Sequence, residues 1–354
     1  MRLLITGICG FVGASLAREL RATADYEIIG IDNLMRPGSH LNRADLLRLG
    51  IKIWHGDIRN SSDLEGLPRA DWVIDAAANP SVLAGADGLV SSRQLLEHNL
   101  QGTLNLLEYC KRHAAGFVIL STSRVYSIAP LAALPLEEVD QAYRINPASP
   151  LPHGVSPQGV AETFSTAPPI SLYGASKLCS ETLALEYSDL FQFPVWIDRC
   201  GVMAGAGQFG RADQGIFSFW VHSWNARRPL KYIGFNGRGF QVRDALHPRD
   251  LVVILRKQLA APSHTAQRIF NVAGGPPNSA SLARLSDWCA RRFGPHQVAS
   301  DPAPRRFDVP WLILDSSKAH EVWNWSPRFS LDQILEEIAV HAEQNPDWLN
   351  LTGS

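Results

Sequence analysis

Apolar runs and helical spacings alternate along the first 200 residues. Leu3–Thr6 is a short apolar run that leads through glycines into a helix-like stretch from about Phe11 to Ala22. Glu27–Asp32, Ile51–His55 and Trp72–Ala76 read as further strands. Ser91–Arg112 carries helical apolar spacing at Leu95, Leu96, Leu100, Leu104 and Leu107. A helix-like Leu172–Phe191 lies between the apolar strands Phe117–Ser121 and Val195–Arg199. Strands apolar on both faces, alternating with helices, predict an α/β fold with a doubly wound parallel sheet.

Past about residue 199 the pattern becomes mixed, with shorter elements and more Gly and Pro. A helix-like Gln214–Ala226 precedes a strand–turn–strand candidate around Tyr232–Val242. Helices near Leu251–Leu259, Leu282–Phe293 and Leu331–Gln344 follow. The expected division is a first domain over 1–198 and a smaller mixed α/β lobe over 199–354, partly interleaved with the first. Residues 128–169 hold 8 of the 23 prolines and little periodicity, which marks them as a functional or disordered segment rather than scaffold.

Charge narrows the partners. With 33 Lys+Arg against 34 Asp+Glu, formal charge is −1, so no global field draws the chain to nucleic acid or an anionic membrane. The five cysteines are scattered without a CxxC pair, which argues against a disulfide framework or zinc site and for a reducing compartment. No apolar run reaches the roughly 18 residues that span a bilayer. The apolar start runs into glycine turns and reads as a strand rather than a signal peptide. A soluble cytoplasmic protein without a metal is the expectation.

The first turn supplies the first chemistry. Thr6-Gly7-Ile8-Cys9-Gly10-Phe11-Val12-Gly13 joins a strand to a helix with GxxGxxG spacing, a variant of the Rossmann dinucleotide fingerprint. Such glycines permit a tight turn and let a pyrophosphate approach N–H groups at a helix N-terminus. Asp32 ends the second strand, 19 residues after Gly13, near the offset of a ribose-binding acid. Its carboxylate would repel a 2′-phosphate, so NAD is favoured over NADP. Asp57-Ile58 ends the third strand where an adenine would lie, and a simple Asp turn accounts for it equally well.

Tyr173-Gly174-Ala175-Ser176-Lys177 puts Tyr173 and Lys177 on one helix face. A tyrosine is a poor base at neutral pH until a nearby ammonium favours its phenolate. Only six of the 33 basic residues are Lys, so one at this position is informative. The companion segment Ser121-Thr122-Ser123 ends a strand, where ligands sit in doubly wound sheets.

Taken in this order, the motifs resemble the extended short-chain dehydrogenase/reductase family, in its branch of nucleotide-sugar epimerases and dehydratases. The resemblance also includes Asp32-Asn33-Leu34, Asn99, Arg199, Arg243-Asp244 and Trp325-Ser326-Pro327. Within the branch the chain looks most like the CDP-paratose (CDP-tyvelose) 2-epimerases, through Gln208-Phe209, Asp213-Gln214-Gly215, Gln241-Val242-Arg243-Asp244 and the long gap from Thr122 to Tyr173. It implies Thr122, Tyr173 and Lys177 as the catalytic group. It implies Gly7, Gly10, Phe11, Val12, Gly13, Asp32, Asn33, Arg36, Asp57, Ile58, Ala76, Ala77, Asn99 and Ser121 around NAD, with Tyr173 and Lys177. The substrate side would take Ser123, Arg124, Arg199, Gln208, Gln214, Arg243 and Arg305. A CDP-hexose is the favoured partner, and a homo-oligomer is expected.

Dehydratases of this branch carry an Asp-Glu pair directly after the catalytic Thr, and Ser123-Arg124 stand there instead. What remains is epimerisation, at C2 by resemblance, with 4-epimerisation and a non-catalytic NAD-binding sensor as the competing readings. Among the arginines, Arg243 is the strongest phosphate candidate, because a guanidinium suits bidentate phosphate recognition. Phe217, Trp220 and Trp224 form a one-faced stripe, read first as core and second as the wall of a base pocket. Lys177 is expected to be irreplaceable by Arg, and an active Lys177→Arg enzyme would overturn that.

Overall fold

The computed structural model describes residues 1–84, 91–211, 214–261 and 267–353. The chain forms two compact units: Met1–Val125 with Leu172–Arg199 and Pro248–Phe270, and Tyr126–Ser171 with Cys200–His247 and Asn271–Ser354. Each unit is assembled from three chain segments, where the expectation was a division at residue 198 with the second lobe partly interleaved.

In the first unit, β1 (Arg2–Thr6), β2 (Glu27–Asp32), β3 (Lys52–His55), β4 (Trp72–Asp75), β5 (Gly116–Thr122), β6 (Val195–Cys200) and β7 (Ile269–Val272) form one sheet. Their order is β7-β6-β5-β4-β1-β2-β3, and β1 pairs in parallel with both β2 and β4. The chain reverses its direction of travel between β1 and β4, the position at which doubly wound sheets receive ligands. Helices α1 (Phe11–Thr23), α2 (Ser39–Arg48), α3 (Gly102–His113) and α4 (Ser171–Phe191) connect these strands. Leu4, Ile29, Val73, Ile119 and Ile197 from the strands bury against Leu106 and Leu107 of α3 and Ala184 of α4. That burial explains why the strands carry no polar alternation. The helix read over Ser91–Arg112 is interrupted: Ser92–Leu96 passes into a π turn over Glu97–Gln101 before α3 begins. No helix of the described residues is long and apolar enough to cross a membrane.

The second unit is mixed. Val242–Leu246 pairs in parallel with Val202–Met203 and Trp311–Leu312, and antiparallel with Ser279–Ser281. Phe217, Trp220 and Trp224 are buried with Leu285 and Cys289 of helix Leu282–Phe293 and Ile334, Leu335 and Ile338 of helix Leu331–Gln344. The aromatic stripe is core. Fully burying a large apolar side chain contributes about 1.5–3 kcal/mol, so three of them anchor this unit.

The expected strand–turn–strand over Tyr232–Val242 does not close as a hairpin. Leu230–Ile233 pairs with Val298–Asp301, while Val242–Leu246 joins the other sheet. Positive φ at Gly234, Asn236, Gly237 and Gly239 turns the connection repeatedly instead of folding it back once. The proline-rich 128–169 stretch is ordered. It holds helix Ile128–Ala132 and two small hairpins, Leu136–Val139 with Ala142–Ile145 and Val155–Ser156 with Gly159–Val160. Tyr143 N–H donates to the Phe240 carbonyl at 3.0 Å, and Val160 N–H to that of Ile313 at 2.8 Å. Its backbone partners come from late in the sequence, which is why local periodicity missed it.

Candidate active site

The glycine turn is held by space as much as by conformation. Gly7 has φ +59°, and a Cβ there would meet Ala77 Cα at 2.9 Å and the Ala76 carbonyl oxygen at 3.1 Å. A Cβ on Gly13 would stand 2.3 Å from the Gly7 carbonyl oxygen. The turn after β1 and the Ala76-Ala77 segment after β4 therefore lie against each other at the switch point. Gly10 N–H donates to Gly7 O at 2.9 Å, and Gly10 caps α1 with no side chain on its free N–H groups. Phe11 and Val12 open that helix, so its first turn offers backbone donors to an anion.

Asp32 is wired into the same turn. Its Oδ2 accepts Cys9 N–H at 2.8 Å and its Oδ1 accepts Leu34 N–H at 2.8 Å. Burial pushes its pKa up, against the pull of those two N–H groups. Asn33 Nδ2 donates to Asp57 Oδ2 at 2.9 Å, and Arg59 pairs with the same oxygen at 2.7 Å. Burial opposes ionisation of Asp57, yet the hydrogen bonds from Arg59 and Asn33 hold its carboxyl well below the usual range. Ile58 is buried beside Gly102, and the Arg36 carbonyl accepts from Ser39 at the start of α2.

Asn99 occupies the π turn, where a single widened turn re-aims a side chain. Its Oδ1 accepts Asn79 N–H at 2.8 Å, and its Nδ2 donates to Asn79 O at 3.1 Å and Ser176 Oγ at 3.1 Å. Ser176 lies between Tyr173 and Lys177 on α4. Tyr173, Lys177, Ser121, Thr122 and Ser123 are all buried, with Lys177 only 2% exposed. Thr122 Oγ1 accepts Arg124 N–H at 3.2 Å, which turns the chain as it leaves β5.

Arg199 at the end of β6, expected on the substrate side, is only 4% exposed. It forms a buried ion pair with Glu181 of α4, Nη2 to Oε2 at 2.7 Å, and Ser121 Oγ donates to Oε1 of the same carboxylate. Desolvation accounts for the pairing: a buried guanidinium stays inside only beside a carboxylate.

In the second unit, Arg243 meets Asp308 Oδ1 at 2.6 Å and donates to the Val309 and Val242 carbonyls. Burial lowers its pKa, Asp308 opposes that, and the neighbouring Arg305 lowers it further. Two of the expected phosphate cations, Arg243 and Arg305, are thus brought together. Gln208 is buried, with its Nε2 donating to Met203 O at 2.7 Å and its amide against Gly215. Gln214 exchanges backbone hydrogen bonds with Arg211, and Asp213 between them lies outside the described residues. Arg238 pairs with Glu138.

Residues 3–273 match the NAD dependent epimerase/dehydratase family. The chain belongs to this family. It is 31% identical over 358 residues to a CDP-paratose 2-epimerase of Salmonella typhi, an alignment covering 96% of this chain and 98% of that one. A UDP-glucuronate 4-epimerase of Thermodesulfobacterium geofontis is 25% identical, covering 97% and 96% of the two chains. Among solved structures, UDP-glucuronic acid 4-epimerase from Bacillus cereus, with UDP-glucuronic acid and NAD, has a TM-score of 0.75. It is 25% identical, with coverage of 97% and 99%. The chain is thus an NAD-dependent enzyme of the epimerase/dehydratase kind, and the cradle at Gly7 and Gly13, closed to any Cβ, fits the cofactor.

Two residues of this family member escape motif reading. Asp75 is buried at the end of β4, accepting from Thr6 Oγ1 at 2.7 Å and Thr103 Oγ1 at 3.2 Å, and thereby couples β1, β4 and α3. Glu181 carries the Arg199 pair. It was legible as the next four-residue step after Tyr173 and Lys177, but no motif extends that far.

Proposed function

We propose that the chain epimerises a nucleotide-diphosphate hexose at C2, through a transient 2-keto sugar, with a CDP-hexose as substrate. The observation that carries this reading is local: Tyr173 and Lys177 are buried on one face of α4, and the positions after Thr122 hold Ser123 and Arg124, with no acid for elimination. The full-length likeness to a CDP-paratose 2-epimerase supports the choice of carbon and base.

In this reading Gly7, Gly10, Phe11, Val12 and Gly13 hold the NAD pyrophosphate, Asp32 and Asn33 a ribose, and Asp57 and Ile58 the adenine. Arg36, Ala76, Ala77, Asn99 and Ser121 complete the cofactor's surroundings. Bound NAD supplies a hydride acceptor that later returns the hydride, so no net oxidation occurs. Tyr173 takes the proton of the sugar hydroxyl and gives it back after the sugar has turned over. Lys177 favours the phenolate that makes this possible. Thr122 orients the hydroxyl. Ser123, Arg124, Gln208 and Gln214 contact the sugar and base, and Arg243 with Arg305 meets the diphosphate. Arg199, held by Glu181, has no place in this set.

The purified chain should release NAD on denaturation, and NMR of CDP-, UDP- and GDP-hexoses should show inversion at C2. In D₂O the product is expected to carry no deuterium at C2, because hydride rather than solvent hydrogen returns. Inversion at C4 would replace this reading with a 4-epimerase. A chain that keeps NAD and turns over no sugar would be a sensor.

A further inference from the structure

Tyr173, Lys177 and Glu181 follow one another at four-residue steps along α4, hence on one face. Lys177 therefore stands between a phenol and a carboxylate, each one turn away. A Lys and a Glu at this spacing pair readily, and in a buried site little water weakens the attraction. Glu181 and Lys177 are 1% and 2% exposed. A lysine held by Glu181 would have its charge neutralised and its position drawn away from the phenol.

The structure shows what prevents this. Arg199 Nε reaches Glu181 Oε1 at 3.2 Å and Oε2 at 3.1 Å, and Nη2 reaches Oε2 at 2.7 Å. Ser121 Oγ donates to Oε1 from the neighbouring strand. Both oxygens of the carboxylate are thereby engaged. Among the described residues Glu181 pairs with Arg199 and not with Lys177.

We propose that Arg199 insulates Lys177 from Glu181, with Ser121 as the second cover, and so reserves the lysine ammonium for Tyr173. Arg199 is then a positioning residue rather than a phosphate ligand. The proposal rests on reading Tyr173 and Lys177 as the proton-transfer pair. Among the described residues, the surroundings of Tyr173 include both apolar and charged groups. The ring packs on Ala84 and Leu95, which are apolar. Arg93 and Glu97, on the segment carrying Leu95, pair with each other at 2.7 Å with Arg93 well exposed, and Arg124 follows Thr122 out of β5.

The test reads Tyr173 directly. Phenolate absorbance is titrated from pH 5.5 to 10 on the NAD-loaded chain, and the same titration on Tyr173→Phe is subtracted. In Arg199→Met the bare Glu181 captures Lys177, and the Tyr173 midpoint is expected to rise by about one unit, a roughly tenfold loss of phenolate. The kcat at pH 7 should fall about tenfold or more with KM within about threefold, as for a lost proton-transfer group. In Arg199→Met/Glu181→Met no carboxylate competes, so midpoint and kcat should return toward the wild-type values. Replacing a buried ion pair with apolar groups of similar volume is tolerated, so this variant is expected to fold.

Should the single variant not fold, Arg199→Lys, which cannot span both oxygens, is expected to give the same shift to a smaller degree. A merely structural pair predicts lost thermal stability with an unmoved midpoint, and that result, or no rescue in a folded double variant, overturns the proposal. The titration needs no substrate. A chain inert toward every sugar with a shifted midpoint would sink the epimerase reading alone, and an active chain with an unmoved midpoint would sink the insulation alone.

Discussion

Asn99 Nδ2 donates to Ser176 Oγ at 3.1 Å, and Ser176 Oγ donates to the Tyr173 carbonyl at 2.8 Å. The π turn and the first turn of α4 are thereby one hydrogen-bonded assembly. Asn99→Ala would leave Asn79 N–H, Asn79 O and Ser176 short of a partner, about 1–3 kcal/mol for each group that stays buried. The expected outcome is a fall in kcat of tenfold or more with NAD content nearly unchanged, read by steady-state kinetics and by NAD released on denaturation. A loss of NAD with kcat per bound cofactor intact would instead place Asn99 on the cofactor alone.

Two glycines separate space from composition. Gly13→Ala sets a methyl 2.3 Å from the Gly7 carbonyl oxygen, and a backbone contact of that kind cannot be relieved by a side-chain rotation. Gly66 has nothing within 4 Å of a built Cβ and a helical φ of −81°. Gly13→Ala is expected to abolish NAD retention and lower thermal stability, while Gly66→Ala leaves both unchanged. Equal behaviour of the two would mean the turn tolerates displacement.

His222 Nε2 and His341 Nδ1 lie 3.2 Å apart inside the second unit. Burial, then the neighbouring His341, lowers the His222 pKa to about 3, and burial lowers that of His341. Between about pH 3 and the ordinary value near 6.5 the unfolded chain binds a proton that the folded chain refuses. Stability from His222 is therefore present above the unfolded pKa and falls as pH drops through this window, by at most about 1.4 kcal/mol per pH unit for one group. His222→Gln should flatten the decline of Tm between pH 7 and pH 4.5 in calorimetry. An unchanged slope would remove His222 from the account.

Asp198 works with the opposite sign. It is buried in the first unit, where burial raises its pKa to about 7 against a hydrogen bond from Gln258 Nε2 at 2.8 Å. Its folded pKa exceeds the unfolded one, so its contribution is greatest below about pH 4 and is lost as pH rises to about 7. Asp198→Asn mimics the protonated acid. It also offers a donor to Gln258 Oε1, a buried atom with no hydrogen-bond partner among the described residues. The stability gained should grow from about pH 4 to pH 7 and then level, reaching about 4 kcal/mol at most. Denaturant midpoints at pH 5 and pH 8 check this, and an equal gain at both would contradict it.

How much of this could be read from residues alone depends on the range of the forces involved. The strands of the parallel sheet are buried on both faces, so Leu3–Thr6 and Val195–Arg199 announce themselves as apolar runs. The glycine turn is legible because a backbone in close contact admits only one residue type. Hydrogen bonds between distant segments leave no such trace. The Asp140–Gln141 turn takes positive φ at 48° and 61° with neither glycine nor asparagine to signal it. The π turn at Asn99 has the composition of an ordinary helix. The Arg199–Glu181 pair joins positions 18 residues apart on two elements, so nothing in the local sequence announces it.

The segment Pro248–Phe270 belongs to the first unit, and its helix Pro248–Ala260 packs on α1. The ribosome has therefore made about three quarters of the chain before the cofactor-binding sheet can acquire its outer strand β7. A fragment ending at residue 198 would contain every NAD motif yet lack the strand and the helix that complete the sheet. For this chain the inventory of binding residues and the unit capable of folding are different lengths of polypeptide.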